Sequence, residues 1–481
     1  MSLLKKPQRT MRALLLLATA VRFFGLGVRS FWFDEAFTVV VTRIPLRDSL
    51  EAILTLGAYS PFYYLLLRPT TALLGQSEYA YRFLSALFGI LTVPLIYRVG
   101  SRWFDRRAGL LAALLLAICP FHLLYSQDGR MYTIMAFFSL AAMSQFEQVQ
   151  RGKRWLPFIL YSAVAYLCHY AAIFMIYVQL VLLLPRLRRG RLFRHWFAAQ
   201  ALALLPLAPW LIAYVVENWQ QRALGIGWIP RPTLLSPLLT LWNMGSADTD
   251  TATAGVLALA ALYGAVLASG LLARAESVRT LRWWLLLPIL TNLIVSLRQP
   301  LYVDRYFMGS LPACILLLVA GILRWQPRWL RWAAAAAVVA VMGWGTARIV
   351  SGDPYFAKED WRQAAAAIDA ALEPGDRVVL QDQETLIGVS AYRQQEWPVE
   401  VLVPGEEQAA LDAALAAHRR VWMVLRSFQE SNHRLCKSAP FDPFSEAAAP
   451  IQAWLAAHRA ETAVVLPLPG VAVVRMEQRV P

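Results

Sequence analysis

Along this chain, apolar runs of roughly 18 residues alternate with short polar turns, the period of a polypeptide that threads a hydrocarbon layer about 30 Å thick. After a first run at 11–28, further runs lie near 80–97, 108–124, 131–148, 155–170, 171–185, 196–215, 254–273, 283–297, 306–323 and 332–350. The pattern predicts about 11 membrane crossings. The segment 61–75 is apolar enough to join them, but Arg68-Pro69 stands in its middle. A full crossing there would force the basic residues at 98–107 outside. It is therefore read as an interfacial or re-entrant helix with Tyr59, Phe62, Tyr63 and Tyr64 as an aromatic belt.

Beyond Val350 the pattern changes. Short apolar runs at 377–380, 399–403, 421–425, 463–466 and 471–474 alternate with helical patterns at 360–372, 406–418 and 445–458. That alternation predicts a small α/β domain over 351–481, following a membrane domain over 1–350 whose first outer loop is 29–60. The fold class is thus a polytopic α-helical membrane protein with a small C-terminal α/β soluble domain.

Composition agrees: 58% of the 481 residues are hydrophobic and 16% charged, and the mean hydropathy is +0.46. The formal charge of +15 raises nucleic acid as a partner, but the basic residues fall in short clusters between apolar runs, where membrane orientation explains them. Clusters at 98–107, 151–154, 186–194, 274–282 and 324–331 are expected on the cytoplasmic side with the N-terminus. The soluble domain then lies outside. Ala18-Thr19-Ala20 fits a signal-peptidase pattern, yet the apolar character resumes at Phe23, so an uncleaved first helix is expected. Cys119, Cys168, Cys314 and Cys436 show neither paired nor metal-type spacing.

Candidate chemistry gathers on the outer face. Asp34 and Glu35 stand within Phe31-Trp32-Phe33-Asp34-Glu35-Ala36-Phe37, just past the first run. Two readings are open: a cap on a short interfacial helix, or a general base tuned by a neighbouring acid. Asp128 and Arg130 occupy a turn at a helix end, Glu78 and Arg82 another, and Asp304-Arg305-Tyr306 open a late span with Arg298 nearby. A single such arginine snorkels to headgroups; several converging beside carboxylates suit an anionic ligand such as phosphate. Asp248-Thr249-Asp250 raises a divalent metal, although such triplets are common in loops, and no metal or other cofactor is assigned. His122 and His169, near span ends, read as structural.

Taken together these stretches resemble the GT-C glycosyltransferases of the protein O-mannosyltransferase and lipid A aminoarabinose transferase type. Asp34-Glu35 resembles the family's acid pair in the first outer loop. Tyr59-Ser60-Pro61-Phe62-Tyr63-Tyr64 is similar to its His-Pro-Pro-Leu-Tyr-Tyr segment, and Gly75-Gln76-Ser77-Glu78 to its Gly-Asp-Ser-Glu turn. Tyr125-Ser126-Gln127-Asp128-Gly129-Arg130-Met131-Tyr132 resembles its Ser-Gln-Glu-Ala-Arg-Met-Tyr turn. Asp304-Arg305-Tyr306 with Pro312 resembles an Arg-Tyr motif, and Lys358-Glu359-Asp360-Trp361-Arg362 the start of the C-terminal domain in many bacterial members. The likeness is strongest over 10–150.

The resemblance implies a GT-C fold of about 11–13 transmembrane helices and transfer of a sugar from a polyprenyl-phosphate donor to a protein, lipid or glycan hydroxyl, on the outer face of the inner (plasma) membrane. It implies Asp34 as base with Glu35 assisting, Arg130 and Arg305 on the phosphate with Arg82 as a third cation, and Asp128, Tyr306 and Tyr59 in substrate binding. Two departures bear on sugar or acceptor choice: Tyr59-Ser60 stands where the family has His-Pro, and Asp128-Gly129 where it has Glu-Ala. The rival reading, a transporter or lipid-sugar flippase, wants midplane charges and repeated halves, whereas here the acids gather at one boundary and no repeat is visible.

Overall fold

The computed structural model describes residues 7–56, 60–186, 190–221, 229–427 and 440–478. These divide into two compact units, one drawn from 1–26 and 46–351, the other from 27–45 and the residues after 351. Tyr59 and Cys436 lie outside the described residues.

The first unit is helical. Glu78–Trp103, Ala254–Leu271, Glu276–Ser296, Asp304–Arg324 and Arg328–Ser351 are each long and apolar enough to cross a bilayer. Two of the expected straight runs are bent instead. Arg106–Ala117 meets Pro120–Ser126 at 56°, and Gly190–Leu204 meets Ala208–Glu217 at 65°. Proline is the cause in the first: Cys119, which precedes Pro120, is extended at φ −72° and ψ 114°, as the ring's clash with the preceding residue demands. Pro206 stands in the second break. Counting each bent pair once gives up to seven spans among the described residues, and Trp155–Cys168 and Tyr170–Arg186 are shorter apolar helices. The figure of about 11 in the sequence therefore counts apolar helical segments, several of which do not qualify as spans by themselves.

Phe62–Leu74 is a helix of 13 residues. At 1.5 Å per residue it extends about 20 Å, short of the hydrocarbon thickness. Asp304–Arg324 is the hub of the unit, with 83% of its apolar window buried. It meets Ala254–Leu271 backbone to backbone: a Cβ on Gly270 would lie 2.0 Å from the Leu317 carbonyl oxygen, and one on Gly321 2.0 Å from that of Val266. Only glycine permits that crossing, the small-residue packing usual between membrane helices.

The second unit holds a five-stranded sheet of β1 (Arg377–Leu380), β2 (Val399–Val401), β3 (Arg420–Arg426), β4 (Thr462–Leu468) and β5 (Val471–Glu477), ordered β2-β1-β3-β5-β4. β1 is parallel to β2 and β3, while β5 runs antiparallel to β3 and β4. Both faces are covered. Val378, Leu380, Trp422 and Val424 join a core with Trp361 and Ile368, and Val379, Val421 and Met423 join another with Leu411 and Trp454. Near-continuous apolar strands follow from two buried faces. At one end of β3, Arg420 Nε and Nη2 donate to Asp376 at 2.9 and 2.6 Å. Burial pushes the Asp376 carboxyl up, but the hydrogen bonds from Arg420, the Glu373 N–H and Trp422, with the Arg420 charge, together outweigh it and leave the group below its ordinary value.

Helix Phe33–Arg43 belongs to this unit and packs on Gln383–Ser390. The Phe31 N–H donates to the Tyr392 hydroxyl at 2.7 Å, Arg43 Nη1 to the Ala391 carbonyl at 2.9 Å, and Arg362 Nη1 to the Val28 carbonyl at 3.2 Å. Eight of its eleven residues are buried, more than one apolar stripe of an interfacial helix could hide. The loop 29–60 is accordingly shared: 29–45 lies in the α/β unit and helix Leu46–Leu56 in the membrane unit.

Candidate active site

Asp34 and Glu35 fall in the first turn of Phe33–Arg43, where carboxylates oppose the positive end of the helix dipole. Both are buried, at 7% and 1% exposure. Glu35 Oε2 accepts from the Trp32 N–H at 3.3 Å, so it does cap the helix, as the bland reading expects. It also accepts from Lys358 Nζ at 2.8 Å, an ion pair with both side chains 1% exposed. The next residue acts on the same turn: Glu359 Oε2 accepts from the Phe33 N–H at 2.7 Å and from Trp361 Nε1 at 3.1 Å. Burial raises the Glu359 carboxyl above its ordinary value against the pull of Arg426, and the charge of Asp34 pushes it the same way. Arg426 also lies over the Phe33 ring, 5.5 Å from its centroid.

Lys358, Glu359 and Arg426 were not singled out in the sequence as site residues. The signal was present only as the charged pair opening Lys358-Glu359-Asp360-Trp361-Arg362, over 300 residues from the helix it grips.

Within the membrane unit the turn 127–131 is held by its neighbours. Ser85 Oγ donates to the Arg130 carbonyl at 2.7 Å, and Thr133 Oγ1 donates to the Ser85 carbonyl at 2.9 Å. Gln127 Nε2 reaches the carbonyls of Val21, Arg22 and Phe24 at 3.1, 3.3 and 2.8 Å. Arg22, itself buried, donates to the Leu116 and Ala117 carbonyls, each at 3.0 Å, and contacts His122 Nδ1 at 3.0 Å. His122 is itself fully buried. Arg130 is fully buried and its Nη1 donates to the Tyr64 hydroxyl at 3.2 Å.

The turn 304–306 is fixed differently. Asp304 accepts from Thr240 Oγ1 and Asn243 Nδ2, both at 2.6 Å, which places Arg305, 1% exposed, at the head of the central helix. The two turns converge. The rings of Tyr132, His169 and Tyr306 follow one another at 5.5 and 5.0 Å, and the charges of Arg130 and Arg305 both reach His169. Tyr125 feels Asp128, Asp304 and Arg305. Arg82, 1% exposed, donates to the Leu26 carbonyl at 2.9 Å. His169, read from the sequence as structural, caps a turn through Nδ1, which accepts from the Ala171 N–H at 3.0 Å, and its ring also contacts those of Tyr132 and Tyr306. Its position at the end of an apolar run was the available signal.

Asp248 is spent on local structure. Its Oδ1 accepts from the N–H groups of Asp250 and Thr251 at 2.8 and 3.0 Å, and its Oδ2 from Thr251 Oγ1 at 2.6 Å and from the Arg348 guanidinium. The structure brings no group of three or more His, Cys, Asp or Glu side chains together there or elsewhere among the described residues.

Residues 58–213 match the family model described as dolichyl-phosphate-mannose-protein mannosyltransferase. Among solved structures, ArnT from Cupriavidus metallidurans bound to undecaprenyl phosphate is similar with a TM-score of 0.61 and 14% identity, over 96% of this chain and 97% of that one. The same protein in the apo state gives 0.63 at 14% identity, with the same coverage. The archaeal oligosaccharyltransferase AglB from Archaeoglobus fulgidus, in complex with an inhibitory peptide and a dolichol-phosphate, gives 0.53 and 14% over 87% of this chain and 69% of that one. A search of curated protein sequences finds no match. Residues 58–213, which include the turn 127–131, thus match the mannosyltransferase model, and the whole chain shares the multi-pass membrane fold of these solved structures, a helical membrane unit followed by a small α/β unit.

Proposed function

We propose that the chain moves a sugar from a polyprenyl-phosphate donor to a hydroxyl of a protein, lipid or glycan acceptor at the outer face of the inner (plasma) membrane, with its N-terminus cytoplasmic and its α/β unit outside. The observation that carries this reading is the burial of Arg82, Arg130 and Arg305 in an apolar unit, at no more than 1% exposure each. Buried guanidinium groups are costly in such a setting and mark the path of an anionic ligand.

The chemistry divides between the two charge types. Asp34 takes the proton of the acceptor hydroxyl as its oxygen attacks the anomeric carbon. The bond from that carbon to the phosphate oxygen breaks, and polyprenyl phosphate leaves as an anion that needs no general acid. Arg130 and Arg305 hold the phosphate and meet its developing charge, with Arg82 in support. Asp128 and Tyr306 line the sugar side, and Glu35 acts through its bonds to Lys358 and Trp32 to orient the acid turn. Tyr59 keeps its proposed substrate role on the strength of the resemblance.

Asp34→Asn preserves size and removes the base. The expected result is loss of transfer by about 10²–10⁴-fold with membrane insertion unchanged, followed as loss of donor from a panel of polyprenyl-phosphate sugars by mass spectrometry. Full activity in the variant removes Asp34 from the mechanism.

A further inference from the structure

A cavity of about 550 Å³ opens between Glu78–Trp103, Tyr132–Val149 and Trp155–Cys168, lined by Arg98, Arg102 and Arg154 and by apolar side chains including Phe137 and Tyr161. Its size falls within the roughly 300–1,000 Å³ of ligand clefts. It is remote from the candidate active site: Ser85, which holds the Arg130 carbonyl, precedes Arg98 on one helix by 13 residues, about 20 Å of rise.

Three features set it apart from a rim of snorkelling arginines. The guanidiniums come from two elements yet face one space, Arg98 and Arg102 one turn apart on a helix and Arg154 from the turn before the next helix. Arg154 holds a left-handed backbone at φ 58°, a conformation strained for a non-glycine residue. The Gln145 amide, also in the lining, ends in a buried Oε1 without a partner, while its Nε2 donates to Ser144 Oγ at 3.3 Å. Turning that amide over presents NH₂ to the same point, so it meets either a charged or a protonated phosphate oxygen.

Charge decides the ligand. Arg102 shares Glu147, 3.5 Å from its Nε, whereas neither Arg98 nor Arg154 has a carboxylate partner among the described residues. Two uncompensated cations beside an apolar wall match a phosphate monoester, which carries about −1.5 to −2 near pH 7, better than a singly charged diester. We infer that this cavity is a second lipid-phosphate site, binding a phosphate monoester carried on an apolar chain at the opposite end of these helices from Arg130. The inference stands apart from the transfer reaction.

The test is native mass spectrometry of the full chain in phosphatidylcholine nanodiscs titrated with farnesyl phosphate. Arg98→Gln/Arg154→Gln is expected to weaken one binding event about a hundredfold, tenfold for each lost charge-assisted contact, while Arg98→Lys/Arg154→Lys retains most of it. Arg130→Gln should leave that event intact whether or not the transferase reading holds. Arg98 and Arg154 are exposed, so folding of their variants is checked by an unchanged melting temperature. Equal binding by the wild type and the glutamine variant overturns the site. Phosphatidylglycerol or inorganic phosphate competing as tightly as farnesyl phosphate overturns the monoester lipid as its ligand.

Discussion

The acid turn and the arginine turns solve the same problem, a charge kept out of water, by opposite means. In the α/β unit, Glu35 is buried against an opposite charge, Lys358, and Glu359 accepts two N–H donors. In the membrane unit, Arg82 donates to the Leu26 carbonyl and Arg130 to the Tyr64 hydroxyl. A carbonyl or hydroxyl oxygen satisfies an N–H donor without cancelling its charge in the way a carboxylate does. In the proposed mechanism Glu35 and Glu359 serve placement and the arginines attraction.

Breaking the pair should do the most damage. Lys358→Met removes the cation 2.8 Å from the buried Glu35 carboxylate and is expected to cost about 3–5 kcal/mol, seen as a lowered unfolding transition of the α/β unit. Lys358→Met/Glu35→Gln, which removes both charges, should recover most of it; no recovery would mean that Lys358 acts through something other than Glu35. On the arginine side, Arg130→Gln should leave the unfolding transition almost unmoved and reduce kcat/KM by about 10²–10³-fold, the usual effect of losing one electrostatic donor. A comparable loss of stability would place Arg130 with the structural charges and erase the contrast.

Smaller effects are expected with pH. The Glu359 carboxyl, raised chiefly by burial, takes up its proton above the ordinary glutamate range, and its bonds to Phe33 and Trp361 weaken as it does. Activity should therefore begin to fall on the acid side above that range. Glu359→Gln should move this limb to lower pH; an unmoved profile would detach Glu359 from the acid turn. Asp376 has the opposite sign. Its folded value is depressed, so its contribution is present above the unfolded value of about 3.9 and lost as pH falls through the lower folded one. Asp376→Asn should abolish that acid-side loss in a melting series and leave the activity profile alone.

Much of this was legible in the chain. The strands at 377–380 and 471–474 and the helix near 406–418 were readable because period-2 and period-3.6 patterns are local, and β1, β5 and Glu407–Ala417 occupy those places. The antiparallel pairing of β4 with β5 and the helix Gln383–Ser390 were not, since periodicity carries no strand direction and the helix is short and carries polar residues at its start. The bends at Cys119 and Leu205–Leu207 escaped because hydropathy is blind to backbone direction, although Pro120 and Pro206 were there to be read. The arginine turns were visible as charges at run ends. The partners of the acid turn were invisible for a physical reason: hydrophobic periodicity carries no information about which distant segment supplies a salt bridge, and Lys358 is separated from Glu35 by 323 positions.

That separation gives the acid turn a history. At roughly 5–20 residues per second, ribosomal synthesis delivers Lys358 about 15–65 s after Glu35, when every membrane helix has already been made. A nascent chain carries its acids unlatched through all of membrane insertion, and the ion pair closes only once the final helix is in place, so a prematurely terminated product never acquires the turn on which the proposed base stands.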